Sequence, residues 1–252
     1  MTPIAAGHVG PTMAAAFLAS LVECVEALTV VLAVGAVRGW RNALGGAGAG
    51  LAVLATAVAV LGPALTLVPL ALLQLILGVL LLLFGLRWLK KAVLRAAGIL
   101  PLRDEAAAFD HEVGALRQAG VGKSGYDPAG FLTAFQITLI EGTEVVFIVV
   151  AVSAGGPGLL LPAAIAALAA LAVIGAVGLI AHRPLAKVPE NGLKFIVGVL
   201  LSGFGAFWAG EGLGLVWPGG DASIAGLLAG FLAIALICVR LCAGAAARRS
   251  PA

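Results

Sequence analysis

The chain alternates long apolar runs with short clusters of Gly, Pro and charged residues. A membrane-spanning helix needs about 20 apolar residues. Read at that length, the runs predict seven helices, at about 13–37, 43–65, 68–91, 129–153, 159–181, 192–216 and 222–243. The second and third are divided only by Gly62-Pro63 and Pro69, breakers inside a run without charge. The length of that run fits two helices and not one.

Composition excludes a water-soluble fold. Hydrophobic residues make up 62% of the 252 residues and charged residues only 11%, against roughly 25% charged in an average soluble domain. Mean hydropathy is +1.15. The first run has no basic leader, outlasts a signal-peptide core and contains two glutamates, so it is expected to be a retained helix. Three cysteines give no disulfide framework, because Cys24 falls mid-span and Cys238 and Cys242 share one turn of the last helix.

The net charge of +3 reports topology rather than nucleic-acid binding, since the basic residues sit at the ends of apolar runs. Arg38 and Arg41 follow the first run. Arg87, Lys90, Lys91, Arg95, Arg103, Arg117 and Lys123 follow the third, Arg183, Lys187 and Lys194 the fifth, and Arg240, Arg248 and Arg249 the seventh. The intervening loops and the N-terminal tail have none. The positive-inside rule therefore predicts a multi-pass protein of a bacterial inner membrane, with the N-terminus outside and the C-terminus cytoplasmic. The long connection near 97–128 carries mixed charge and reads first as a solvated tether, with room for a short amphipathic helix. His111 within it reads as an exposed histidine.

The chain also repeats itself. A shift of 118 residues lays Leu21-Val-Glu23-Cys-Val-Glu26 on Leu139-Ile-Glu141-Gly-Thr-Glu144, with Phe17 on Phe135. A shift of 120 lays Gly78 and Phe84-Gly85-x-x-Trp88 on Gly198 and Phe204-Gly205-x-x-Trp208. The unit is three helices, an odd number, so the second copy enters the membrane from the opposite side. The predicted fold is an all-α membrane protein with two inverted three-helix repeats, 1–96 and 129–217, joined by the 97–128 linker and followed by a seventh helix in 218–252. Gly46-x-x-x-Gly50 and Gly175-x-x-Gly178 read as helix-packing sites, and the Phe/Trp pairs as packing or interface anchors.

Candidate chemistry is concentrated in Glu23, Glu26, Glu141 and Glu144. Each pair is spaced by three, so both acids project from one helix face near mid-span. An ionised acid at that depth costs at least about 2.5–3.5 kcal/mol, and the charge map places no Lys or Arg there. Either some acids are protonated or a cation sits among them. Oxygen ligands from two helices suit hard or borderline divalent cations. Ser20, Thr138, Thr143 and Gln136 lie nearby, with back-bonding to the helix the simpler reading of the hydroxyls. Cys24 faces away from the acid stripe. Glu211 reads equally as a cation-attracting acid at the outer entrance or as an interfacial acid, and His182 as an interfacial residue.

On these motifs the chain resembles the oxidase-coupled iron permeases and the wider iron/lead transporter group, whose first and fourth helices carry Arg-Glu-x-x-Glu. Here Glu23-Cys-Val-Glu26 and Glu141-Gly-Thr-Glu144 fill the acidic positions, while Val22 and Ile140 replace the arginine. The Glu-Gly-Thr-Glu element is also similar to the Glu-x-Gly-Asp signature of inverted-repeat cation/proton exchangers, with Val145 where a basic residue would follow. The resemblance implies a secondary transporter of a divalent metal, iron or manganese, with the four glutamates as ligands and proton acceptors. It implies no resident cofactor, and as partners the metal, protons, the bilayer and, at most, further copies of the chain. The competing expectation is a non-transporting scaffold or assembly subunit whose acids form neutral interhelical hydrogen bonds. No nucleophile-base pair or histidine cluster points to an enzyme.

Overall fold

The computed structural model describes residues 3–65, 67–118, 127–153, 158–180 and 190–249. These residues form eight helices: α1 Pro3–Arg38, α2 Trp40–Leu65, α3 Leu70–Ala96, α4 Glu105–Gln118, α5 Pro128–Ser153, α6 Leu160–Ile180, α7 Glu190–Gly212 and α8 Ala222–Arg249. There is no strand among the described residues. Every helix but α4 is long and apolar enough to cross a membrane, and the chain is a multi-pass membrane protein of all-helical fold.

Local chemistry sets the breaks. Gly39 adopts φ +90°, a left-handed conformation open to glycine at little cost. Its carbonyl accepts from the N–H groups of Asn42 and Ala43 at 3.2 Å, so Gly39 alone separates α1 from α2. α3 ends in the same way at Gly98, φ +72°, whose N–H returns to the Arg95 carbonyl at 3.0 Å. The α2–α3 break falls where the sequence places it: α2 continues through Gly62-Pro63 to Leu65, and α3 begins directly after Pro69.

The spanning helices pack as two interleaved copies. α3 lies along α7, α1 crosses α5, and α2 packs on α5 as α6 packs on α1. Glycines show how close this packing is. A methyl group on Gly78 would collide with the backbone of Trp208 and Ala209, and one on Gly198 with Leu89. Likewise Gly85 abuts Leu201 and Ser202, while Gly205 abuts Leu82. Each contact maps onto its counterpart under the same 120-residue shift, as an axis relating α3 to α7 requires. The contacts also run antiparallel, since Gly78 meets the far end of α7 and Gly85 an earlier turn. In α2, Gly46 and Gly50 abut Phe131 and Thr138 of α5, and Gly178 of α6 abuts Leu28 of α1; Gly175 faces open space. Small residues thus let backbones approach and gain dispersion contacts where burial in lipid supplies no driving force.

The largest buried cluster joins Ala15, Ala19 and Val22 of α1 with Leu81 of α3, Ile148 of α5 and Phe204 of α7. α8 lies outside this bundle against α7 and α3, and presents Ile234, Ile237 and Leu241 outward.

The described part of the connection, 97–118 with Asp127, is not a free tether. Asp104 caps α4, its Oδ1 accepting from the N–H groups of Ala106 and Ala107 at 2.9 and 3.2 Å. Phe109, Val113 and Leu116 then pack against α1 beside Val30, Val34 and Val37. A polar knot secures the end of the connection. Arg38 Nη1 donates to Asp127 Oδ2 at 2.6 Å and its Nη2 to the Leu116 carbonyl at 3.1 Å. Asn42 donates to the Arg38 carbonyl at 2.7 Å and accepts from the Asp127 N–H at 3.1 Å. Asp127 Oδ1 caps α5 through the N–H groups of Ala129 and Gly130. The Arg38 guanidinium holds the Asp127 carboxyl below the usual aspartate range, with the α5 N–H groups acting in the same direction. Charge mapping along the sequence misses this knot because Arg38 and Asp127 are 89 residues apart.

Candidate metal centre

α1 and α5 cross near their middles, and the crossing brings three of the four expected acids together. Ligand oxygens of Glu23, Glu141 and Glu144 all lie within 4.8 Å of one another. Glu23 is 2% exposed, and its Oε1 has no hydrogen-bond partner. Glu141 and Glu144 are half-buried. None of the three enters an ion pair among the described residues. Cation–oxygen distances of about 2.0–2.6 Å allow two ligands of one ion to stand up to about 5 Å apart. The three carboxylates therefore fit a single hard divalent cation, and the unpartnered oxygen of Glu23 is a donor that such an ion would satisfy.

Glu26 does not join them. It shares the helix face of Glu23 but sits one turn nearer the end of the bundle that carries Arg38 and Asp127. There Lys194 of α7 pairs closely with Glu26 Oε1, and Arg103 Nη1 lies 3.3 Å from Oε2. The same two cations hold Glu190: Lys194 Nζ at 3.0 Å and Arg103 Nε at 3.3 Å. Lys194 lies over the Trp88 ring, 5.4 Å from its centroid. The Asn191 side chain brackets the Arg103 backbone, accepting from its N–H at 3.2 Å and donating to its carbonyl at 3.0 Å.

This network corrects the expectation that no basic residue approaches the acids. Lys194 lies one turn inside α7, and its long side chain carries the ammonium over Trp88 to Glu26 of α1. Arg103 comes from the segment after α3 that folds beneath the bundle. A one-dimensional charge map assigns both to the cytoplasmic ends of runs, away from the acids. The available signals were the i,i+4 spacing of Glu190 and Lys194 and the match of Lys194, under the 120-residue shift, to Gln74, a polar residue in an otherwise apolar helix.

The neighbouring polar residues divide. Thr138 and Thr143 donate back to the Ala134 and Leu139 carbonyls at 2.8 and 2.6 Å. Gln136 is exposed. Ser20 is buried, with an unpartnered hydroxyl. Cys24 packs against the apolar cluster of Val25, Leu32 and Ile174. Glu211 accepts from Gln74 Nε2 at 2.9 Å. His111 lies exposed on α4, 4.0 Å from Glu112, and His182 lies outside the described residues. No protein-family model, curated protein or solved structure matches this chain.

Proposed function

We propose that this protein is a secondary transporter of a divalent metal cation, iron or manganese before others, and that Glu23, Glu141 and Glu144 bind the cation in transit. The observation that carries this reading is three converging carboxylates at the crossing of two spanning helices, one of them buried with an unpartnered oxygen. Acids at mid-span are costly unless they serve a pathway, and carboxylate oxygens favour hard or borderline divalent ions. The inverted repeat supports the reading as well, because such folds place the substrate at the repeat interface. The distribution of Lys and Arg supports an N-terminus outside and a C-terminus inside a bacterial inner membrane. With no nucleotide-binding motif in the sequence, the driving force in this reading is the proton gradient or the membrane potential.

Metal flux in proteoliposomes tests it. Mn(II) and Fe(II) are expected to cross with the wild-type protein and to stop with the double variant Glu23→Gln/Glu141→Gln. Full flux in that variant removes the ligand assignment. No flux in either protein, with unchanged assembly, favours a scaffold held by neutral carboxyl hydrogen bonds.

A further inference from the structure

Under the repeat, Glu26 corresponds to Glu144, and Lys194 of α7 corresponds to Gln74 of α3. The helices bearing these last two residues pack on each other symmetrically, as Gly78 against Ala209 and Gly198 against Leu89 show. The two glutamates nevertheless have different fates. Glu144 lies in the carboxylate cluster. Glu26 is drawn off by Lys194 and Arg103. At the position equivalent to Lys194 stands a neutral amide, which donates to Glu211. The chemical difference between the two sites is therefore one of charge: the Lys194 ammonium, joined by the Arg103 guanidinium, at Glu26 and a carboxamide at the place on α3 that matches Lys194.

We infer that Lys194 is a positioning residue that acts as a built-in counter-cation, holding Glu26 in reserve outside the three-acid site so that it becomes a ligand only when the ion pair opens. This rests on the reading of Glu23, Glu141 and Glu144 as a cation site. Glu26 lies one turn from Glu23 toward the basic end of the bundle, so its release supplies the next oxygen ligand for a cation moving that way. While the pair is closed, Lys194 occupies the place a metal would take at Glu26. Glu190 supports Lys194 from one turn behind it in α7, and the ammonium lies over the Trp88 ring.

Equilibrium Mn(II) binding to the purified full-length protein tests the inference with four variants. Glu144→Gln removes a resident ligand. Loss of a residue that only supports a ligand already costs about 10- to 100-fold in metal affinity, so this variant should weaken binding at least that much. Lys194→Gln, which installs the α3 residue at the equivalent place, leaves Arg103 shared between Glu26 and Glu190, and should loosen Glu26 enough to tighten Mn(II) binding about tenfold, a gain of about 1.4 kcal/mol. The double variant Glu26→Gln/Lys194→Gln removes a neutral pair and should return to within a few-fold of wild type. Lys194→Arg, which keeps the charge, should bind as wild type does. Two results overturn the reserve role while leaving the site intact: a double variant as weak as Glu144→Gln, or a Lys194→Gln variant no tighter than the double. If neither the wild-type protein nor Lys194→Gln binds Mn(II), the site itself fails and the reserve ligand with it. Should Lys194→Gln not fold, the comparison is made with Lys194→Met and its Glu26→Gln double.

Discussion

Gly205 of α7 sits against the backbone of Leu82 in α3, so close that even a methyl group has no room. Its counterpart Gly85 sits against Ser202. Replacing glycine by alanine inside an exposed helix gains about 1 kcal/mol of helix propensity, so the sign of the effect reports the packing. Gly205→Ala and Gly85→Ala are expected to destabilise by roughly 1–3 kcal/mol, the usual cost of overpacking. Gly175→Ala faces open space and should be neutral or slightly stabilising. Thermal unfolding in detergent separates these outcomes, and a stabilised Gly205→Ala would contradict the α3–α7 contact.

The repeat that places these glycines was legible in the sequence, because Gly, Trp and Glu recur against a background of Leu, Ala and Val. Helix number was legible for a related reason, since bilayer thickness fixes the length of each run. The site was legible in part. Glu23, Glu141 and Glu144 converge because helix periodicity and the repeat set their depth and face. Glu26 obeys the same periodicity and still departs, because its partners Lys194 and Arg103 reach it through long side chains and a folded-back segment. Neither reach nor loop path is encoded in hydrophobic pattern. α4 was similarly half-visible: its mixed charge suggests a tether, while the burial of Phe109 and Leu116 depends on α1 being beside it.

Asp127 and Arg38 are nearly fully buried, with side-chain exposures of 7% and 3%. Removing one partner of such a pair strands the other, at a cost on the order of 3 kcal/mol. Asp127→Asn should lower the unfolding temperature at pH 7 accordingly. The pH dependence has a definite sign. The folded carboxyl lies below the ordinary aspartate value, near about 3.9 in unfolded chains. Its stabilisation is thus complete above that pH and is lost as pH falls through the folded value. The gap between wild type and Asp127→Asn should stay constant from neutral pH down to about pH 5 and narrow below about pH 4. A gap that closes nearer neutrality would point to another group.

A cation that binds the folded cluster must also stabilise the fold. At a concentration 100 times its dissociation constant the gain is about 2.7 kcal/mol. Mn(II) should raise the unfolding temperature of the wild-type protein in a concentration-dependent way. Glu23→Gln should abolish the shift, because Glu23 contributes the buried, unpartnered oxygen. Thr143→Ala should retain the full shift, since that hydroxyl is spent on the Leu139 carbonyl. A scaffold with neutral acids predicts no shift in any of the three proteins.

Glu190 offers a test of electrostatics apart from ligation. Its carboxylate lies in the ion-pair network rather than in the three-acid cluster, and with Glu26 it balances the charges of Lys194 and Arg103. Glu190→Gln leaves those two cations facing Glu26 with one negative charge fewer. The excess positive charge then acts on the nearby carboxylates at low dielectric. Two unit charges about 10 Å apart at an effective dielectric of about 20 interact by roughly 1.7 kcal/mol, more than a tenfold change in binding constant, and for a divalent ion the energy doubles and that factor is squared. Longer separation and water reduce the figure, so a loss of about tenfold in Mn(II) affinity is expected. Added salt should restore little of it, because buried charges are poorly screened. Lys194→Gln in the Glu190→Gln background removes the excess charge and should recover the affinity. If it does not, Glu190 acts by holding the geometry of Arg103 and Lys194, and the electrostatic account of the network is wrong.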